Sequence, residues 1–351
     1  MAALLRKCWV ASPHTRTPLS AAQFDEVTPL LYGSGAAGLG WWRVRGTDLR
    51  DTASGEMLHQ AYRLLTLQAA IHESKIRKVF RVLQTANVEP LLIKGWAVAR
   101  MYPETALRPY GDIDLIVRPR DYRTAVETAA QQLQDCQLDF HVLPFELADR
   151  SIEELFRRAQ LVSCGDEKVR VPATEDLYAL LSIHLLKHGA WRPLWLCDLA
   201  VLLESMSNDF DWDLCLGKDK ERANWIFAAA GLAQELLGAS INDERISAAA
   251  GRVPQWLTKS VLKLWETPFA DEQAPFRHRA PISFYLRRPR GLLSDLARRW
   301  PNPITATITV NGTFGRRRRL RYEVGNWLLR TGRLLRRSSE MAFRLQKQSP
   351  S

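Results

Sequence analysis

Residues 91–117 read LLIKGWAVARMYPETALRPYGDIDLIV, and the stretch closes on Gly111-Asp112-Ile113-Asp114-Leu115-Ile116-Val117. Successive side chains of a strand point to opposite faces, so Asp112 and Asp114 share one face, roughly 6.6 Å apart. Ile113, Leu115 and Val117 take the other face and anchor the strand in a core. Two carboxylates this close repel each other, and the repulsion is tolerable where a cation sits between them. Carboxylate oxygens are the ligands Mg²⁺ prefers, and paired aspartates can hold two ions for phosphoryl or nucleotidyl transfer. A bare DxD also fits a solvated strand end, so the flanking residues decide between the two.

Upstream, residues 57–86 repeat apolar residues at three- and four-residue steps (Leu58, Ala61, Leu65, Ala69, Ile76, Val79, Phe80, Leu83), which predicts a helix. Pro90–Ile93 forms a short buried strand. Lys94-Gly95 then opens a brief helix that Pro103 ends, and a loop with Arg108 and Pro109 leads into the strand 112–117. Downstream, Pro119 and Asp121 start an amphipathic helix with Tyr122, Ala125, Val126, Ala129 and Leu133 on one face. The segment 137–143 alternates cleanly: Leu138, Phe140 and Val142 face a core, while Asp139 and His141 share the other side. A hairpin follows, with strands around 161–163 and 169–171 and its turn at Cys164-Gly165-Asp166. From Thr174, read as a helix cap, the chain is helical through about residue 265, with a stop at Gly189. Residues 1–56, rich in Gly, Pro, Ser and Thr, read as poorly ordered or loosely packed covering segments.

The 351 residues allow two domains, or one with a large extension. The five cysteines (Cys8, Cys136, Cys164, Cys197, Cys215) form no CxxC pair, which argues against a zinc ribbon or a disulfide framework and fits a reducing cytoplasm. The N-terminus is too short in apolar residues for a signal-peptide core, and no run of about 18 apolar residues offers a transmembrane span. A soluble, cytoplasmic protein is expected. The net charge of +11 is local: residues 271–351 hold 18 Lys/Arg against 5 Asp/Glu, so the first 270 residues are close to neutral.

Strand, Gly-containing turn, short helix, DxD strand and a later strand with one more acid follow the order of a polymerase-β-type nucleotidyltransferase palm. KGWAVARMYPETALRPYGDIDLIV resembles the "KG…Y…R…GDIDLLV" block of a large, mostly uncharacterised bacterial nucleotidyltransferase family in that superfamily. LDFHVLP resembles its acid-x-His strand, and EDLYALLSIHLLKHGAWRPLWLCDLAVLLE followed by FDW resembles its helical block. The likeness spans roughly residues 57–250, with the three blocks in order. It implies an α/β (α+β) fold: a palm domain with a small mixed sheet and its preceding helix at 57–172, a helical domain at 173–270, and a basic extension at 271–351. It implies that Asp112 and Asp114 bind Mg²⁺, two ions in all, and that Asp139 is a further ligand or accepts the proton of the attacking hydroxyl. Lys94, Gly95 and Arg108 are then expected to cradle the phosphates of an NTP, since a glycine at a helix start lets backbone N–H groups approach an anion. One departure stands out. The Gly-Ser pair that grips the triphosphate elsewhere in the superfamily is here Lys94-Gly95, which exchanges a hydroxyl for a full charge.

The implied reaction moves a nucleoside monophosphate from an NTP to a hydroxyl or phosphate acceptor and releases pyrophosphate. The acceptor is open: a small molecule, a protein side chain or an RNA end. The competing reading is a non-catalytic nucleotide- or RNA-binding module that uses the basic tail, although a pseudoenzyme has no reason to keep three mutually repelling acids. Residues 316–337, with four consecutive arginines, suit RNA or an anionic surface, or simply a solvated tail. His141 shares the face of Asp139. His184 and His188 stand at i, i+4 as zinc ligands can, but no HExxH glutamate or neighbouring cysteine accompanies them. Lys187-His188 can instead reach the cleft from the helical side. Asp198, inside the apolar helix WLCDLAVLL, calls for a buried partner.

Overall fold

The computed structural model describes residues 1–10, 19–266, 300–315 and 319–330. Among the described residues, α1 (Ala2–Leu5), α2 (Ala21–Gly33), α3 (Ala37–Val44) and a 3-10 turn (Asp48–Asp51) precede the long α4 (Ala53–Thr85). The Gly- and Ser-rich beginning is therefore helical where it is described, and not loose. Ser20 and Gln23 form a reciprocal capping box at the start of α2, and Phe24, Leu31 and Leu39 are fully buried. In α3, a Cβ on Gly40 would lie 2.9 Å from Leu31 Cδ1 and 3.0 Å from Leu58 Cδ1. The glycine that reads as a loop signal in the sequence is a site of close helix packing. Residues 11–18 lie outside the described chain.

A three-stranded sheet follows in the order β1 (Leu91–Leu92), β2 (Ile113–Ile116), β3 (Leu138–His141). β1 is antiparallel to β2, with Leu91 opposite Ile116; β3 is parallel to β2, with Asp114 opposite Asp139. Between β1 and β2 comes the one-turn helix α5 (Trp96–Ala99), and α6 (Tyr122–Gln132) supplies the crossover that a parallel pair requires. Alternation along β2 sorts its residues between two cores. Ile113, Leu115 and Val117 pack with Ile76, Val79, Phe80 and Leu83 of α4, whereas Ile116, on the Asp114 side, joins the larger core of the helical half. The acidic face of the sheet thus looks toward the helices. Val142, expected on the buried face, lies beyond the end of β3 and is 36% exposed.

After α7 (Ile152–Arg158), β4 (Gln160–Cys164) and β5 (Glu167–Val171) make the expected antiparallel hairpin, and β5 packs beside β1. The helical half comprises α8 (Thr174–Lys187), α9 (Pro193–Ser205), α10 (Trp212–Leu216), α11 (Lys220–Leu237), α12 (Glu244–Ala250) and α13 (Gln255–Trp265). Thr174 is the first residue of α8 and not its cap; Ala173 holds the cap position, without a side-chain hydrogen bond. A later helix, α14 (Pro303–Thr309), buries Ile304 and Ile308 against this half, and the Trp225 indole donates to the Gly312 carbonyl at 2.7 Å. Part of the 271–351 region therefore belongs to the packed helical body. Residues 316–318 and 331–337 of the arginine-rich stretch lie outside the described chain. Among the described residues the architecture is α+β, mostly helical with two small sheets, and no helix is long and apolar enough to cross a membrane.

Candidate active site

The register of β2 against β3 creates the site. Because Asp114 pairs with Asp139 in a parallel ladder, their side chains stand on the same sheet face, with His141 one step further along that face. His141 Nε2 lies 3.3 Å from Asp114 Oδ1 and 3.3 Å from Asp139 Oδ2, bridging the two carboxylates. Lys94, two residues beyond β1, donates to Asp114 Oδ1 at 2.8 Å. One ligand atom from each of Asp114, Asp139 and His141 lies within 4.8 Å of the others. Asp114 is 6% exposed. Burial by itself would raise its carboxyl, but the His141 contact and the Lys94 charge outweigh it and hold the group below its ordinary value.

Asp112 lies one residue before β2, exposed to solvent, and is not among these three gathered groups. Gly95 caps α5 at φ 56°, ψ −113°, a conformation that side chains resist, and the Tyr110 ring stands 3.4 Å from where a Cβ would be. Gly95→Ala is expected to cost about 1–3 kcal/mol through this backbone strain, read as a lower thermal midpoint.

Arg108 takes a different part from the one its sequence context suggests. Expected at the phosphates, it is buried and gives its guanidinium to Asp198, with Nε 3.1 Å and Nη2 2.8 Å from Oδ2. The Tyr102 hydroxyl donates to the other oxygen at 2.9 Å. A fully buried carboxylate demands such a partner, and the fork of an arginine meets it bidentately. Asp198 therefore has the buried partner that its apolar helix calls for, and the same pair ties the loop entering β2 to α9.

The sequence profile of a family described as "Uncharacterised nucleotidyltransferase" matches residues 19–135 and 129–238. The chain belongs to that family. No curated protein and no solved structure matches it.

In this nucleotidyltransferase-family chain a second group of titratable side chains gathers in the helical half. Glu146, in the short turn Phe145–Leu147 after β3, is 4% exposed and accepts from Lys187 Nζ at 3.0 Å, with His184 Nδ1 at 3.4 Å. Burial opposes its ionisation, yet these two partners hold its carboxyl well below the usual range. The charges of Lys94 and Asp114 act weakly on His184, behind burial and the Glu146 contact. Burial lowers the His184 imidazole, and the partial covering of the His188 ring, on a residue that remains solvent-exposed, acts with the neighbouring His184 and Lys187 to lower His188 to about 4. Arg192, at the start of α9, stands near the charges of Arg108, Asp198 and Asp112 and donates from Nε to the Ser34 carbonyl at 2.9 Å. Glu146 and Arg192 carry no sequence signal of their own: their partners, Lys187 and His184 for the one and the Ser34 carbonyl for the other, are distant in the chain.

Proposed function

We propose that the protein is a Mg²⁺-dependent nucleotidyltransferase, with β1–β3 as a polymerase-β-type palm in a domain covering residues 57–172. It would transfer a nucleoside monophosphate from an NTP to a hydroxyl or phosphate acceptor. The observation that carries this reading is the pairing of Asp114 with Asp139 in register, on the sheet face turned to the helical half. The donor set fits the cation. Asp114 and Asp139 offer hard carboxylate oxygens, and Asp114 already accepts from one ammonium group, Lys94. Asp112, Asp114 and Asp139 would hold the ions, which supply charge neutralisation at the phosphates and lower the pKa of a bound oxygen nucleophile.

The chain's own groups supply the rest. Lys94, which donates to Asp114, would offer its positive charge to the phosphates beside the side-chain-free backbone of Gly95. Arg108 is committed to Asp198 and is left out of this cradle. The acceptor oxygen forms a bond to the α-phosphorus as the bond between the α-phosphorus and its bridging oxygen breaks. The acceptor proton passes to Asp139, the exposed member of the pair, and pyrophosphate leaves.

The test is pyrophosphate release from each of the four NTPs across small-molecule, protein and RNA acceptors. Release is expected with Mg²⁺ and is expected to vanish with EDTA. Nucleotide binding that is indifferent to Mg²⁺, with no release for any acceptor, would instead favour a non-catalytic binding module.

A further inference from the structure

Beyond Asp114 and Asp139, the described residues bring together one more set of metal-ligating groups. One ligand atom from each of Glu146, His184 and His188 lies within 4.8 Å of the other two. The two histidines sit one turn apart at the end of α8, with ring centroids 4.5 Å apart. In sequence they lack a third ligand; the fold supplies it from another element, the turn after β3.

That third position is rigidly built. Arg222, itself buried, donates to the Glu146 carbonyl at 3.0 Å and to the Phe145 carbonyl at 2.6 Å, fixing the turn against α11. Trp195 packs on both imidazoles, with centroids 4.8 Å from His184 and 5.5 Å from His188, which restrains the ring orientations. Both contacts to the Glu146 carboxylate fall on Oε1, and among the described residues no side chain donates to Oε2. Lys187, the neutralising cation, has a 40% exposed side chain and a flexible stem that can leave without disturbing the core. His188 is exposed, and among the described residues no hydrogen bond reaches its ring.

Two imidazole nitrogens and one carboxylate, with a further position open, form a donor set suited to Zn²⁺ and related transition ions. The all-oxygen surroundings that Mg²⁺ prefers are absent there. We propose that Glu146, His184 and His188 bind one divalent transition-metal ion, best matched by Zn²⁺, where the turn after β3 meets the end of α8. The ion would replace the Lys187 ammonium as the counter-charge of Glu146 and would join the turn after β3 to the end of α8.

The experiment uses the full-length protein stripped by a chelator and titrated with Zn²⁺ by calorimetry, and with Co²⁺ by visible absorption. With excess Mg²⁺ present to occupy the sheet carboxylates, one equivalent is expected, with the intense visible bands of a four- or five-coordinate Co²⁺ site that Mg²⁺ does not displace. His188→Ala, at an exposed position, is expected to keep the wild-type circular dichroism and to weaken Zn²⁺ binding on the order of a hundredfold. His188→Gln gives a second, more conservative removal of the same ligand. The double variant Asp114→Asn/Asp139→Asn is expected to retain the site, which separates it from the sheet carboxylates. Absence of the Co²⁺ bands, equal Zn²⁺ affinity in wild type and both His188 variants, or loss of the site in the Asp114/Asp139 variant would overturn the proposal. None of these results bears on Mg²⁺-dependent pyrophosphate release, so the two readings fail separately.

Discussion

Asp114→Asn is expected to lower pyrophosphate release by about 4 kcal/mol of transition-state stabilisation, roughly a thousandfold, with the fold retained. Asparagine has nearly the shape of aspartate and keeps an oxygen that can accept from Lys94, but it carries no charge to hold a cation against the phosphates. Asp112→Asn makes a cleaner companion, because Asp112 is exposed and lies outside β2. Its loss is expected to leave the unfolding midpoint unchanged, so any fall in rate belongs to chemistry. Wild-type release after either substitution would remove the metal assignment. The acid limb of stability should change as well. The folded Asp114 carboxyl is held below its ordinary value: burial pushes it up, and His141 and Lys94 more than reverse that. Its contribution to stability is therefore fully present above its unfolded pKa, about 3.9, and is lost as pH falls through the folded value. In Asp114→Asn that part of the acid sensitivity is expected to disappear, which urea midpoints measured from pH 6 downward would reveal.

Part of the candidate site was legible in the sequence because strand alternation is a hard geometric rule, although Asp112, read as the partner of Asp114 on one strand, precedes β2 and stands outside the gathered groups. Period two places Asp114 apart from Ile113 and Leu115, and the same rule puts Asp139 with His141, so only the pairing of the two strands remained to be made. Gly95 was read from its place at a helix start, and its positive φ, which no local pattern announces, is a finding of the structure. Arg108 shows the limit of such reasoning. Its place before the DxD strand suggests phosphate, but the competing demand of a buried carboxylate 90 residues away is stronger and is invisible in local pattern. Glu146 escaped for want of any period or motif around it. The N-terminal helices were misread because glycine serves two purposes, turns and close packing, and Gly40 serves the second. In each case the missing information was a tertiary contact.

Asp198→Ala is expected to destabilise the protein by about 3–5 kcal/mol, because it leaves the Arg108 guanidinium buried without a counter-charge. Both side chains are nearly inaccessible, at 7% for Arg108 and 0% for Asp198, so water cannot take the place of the carboxylate. The Tyr102 hydroxyl loses its acceptor in the same step. Urea unfolding followed by fluorescence of the chain's 12 tryptophans would report the change. The double variant Arg108→Met/Asp198→Leu should recover most of the loss, since a buried ion pair replaced on both sides by apolar groups no longer carries a desolvation penalty. That variant also decides the part Arg108 plays. If the pair only pins the loop entering β2 to α9, the apolar replacement keeps pyrophosphate release at temperatures where it is folded. If Arg108 exchanges Asp198 for a phosphate during turnover, release falls even though stability has returned. The first result is expected, because withdrawing Arg108 would strand the Asp198 charge in the core, a cost comparable to that of the alanine substitution itself.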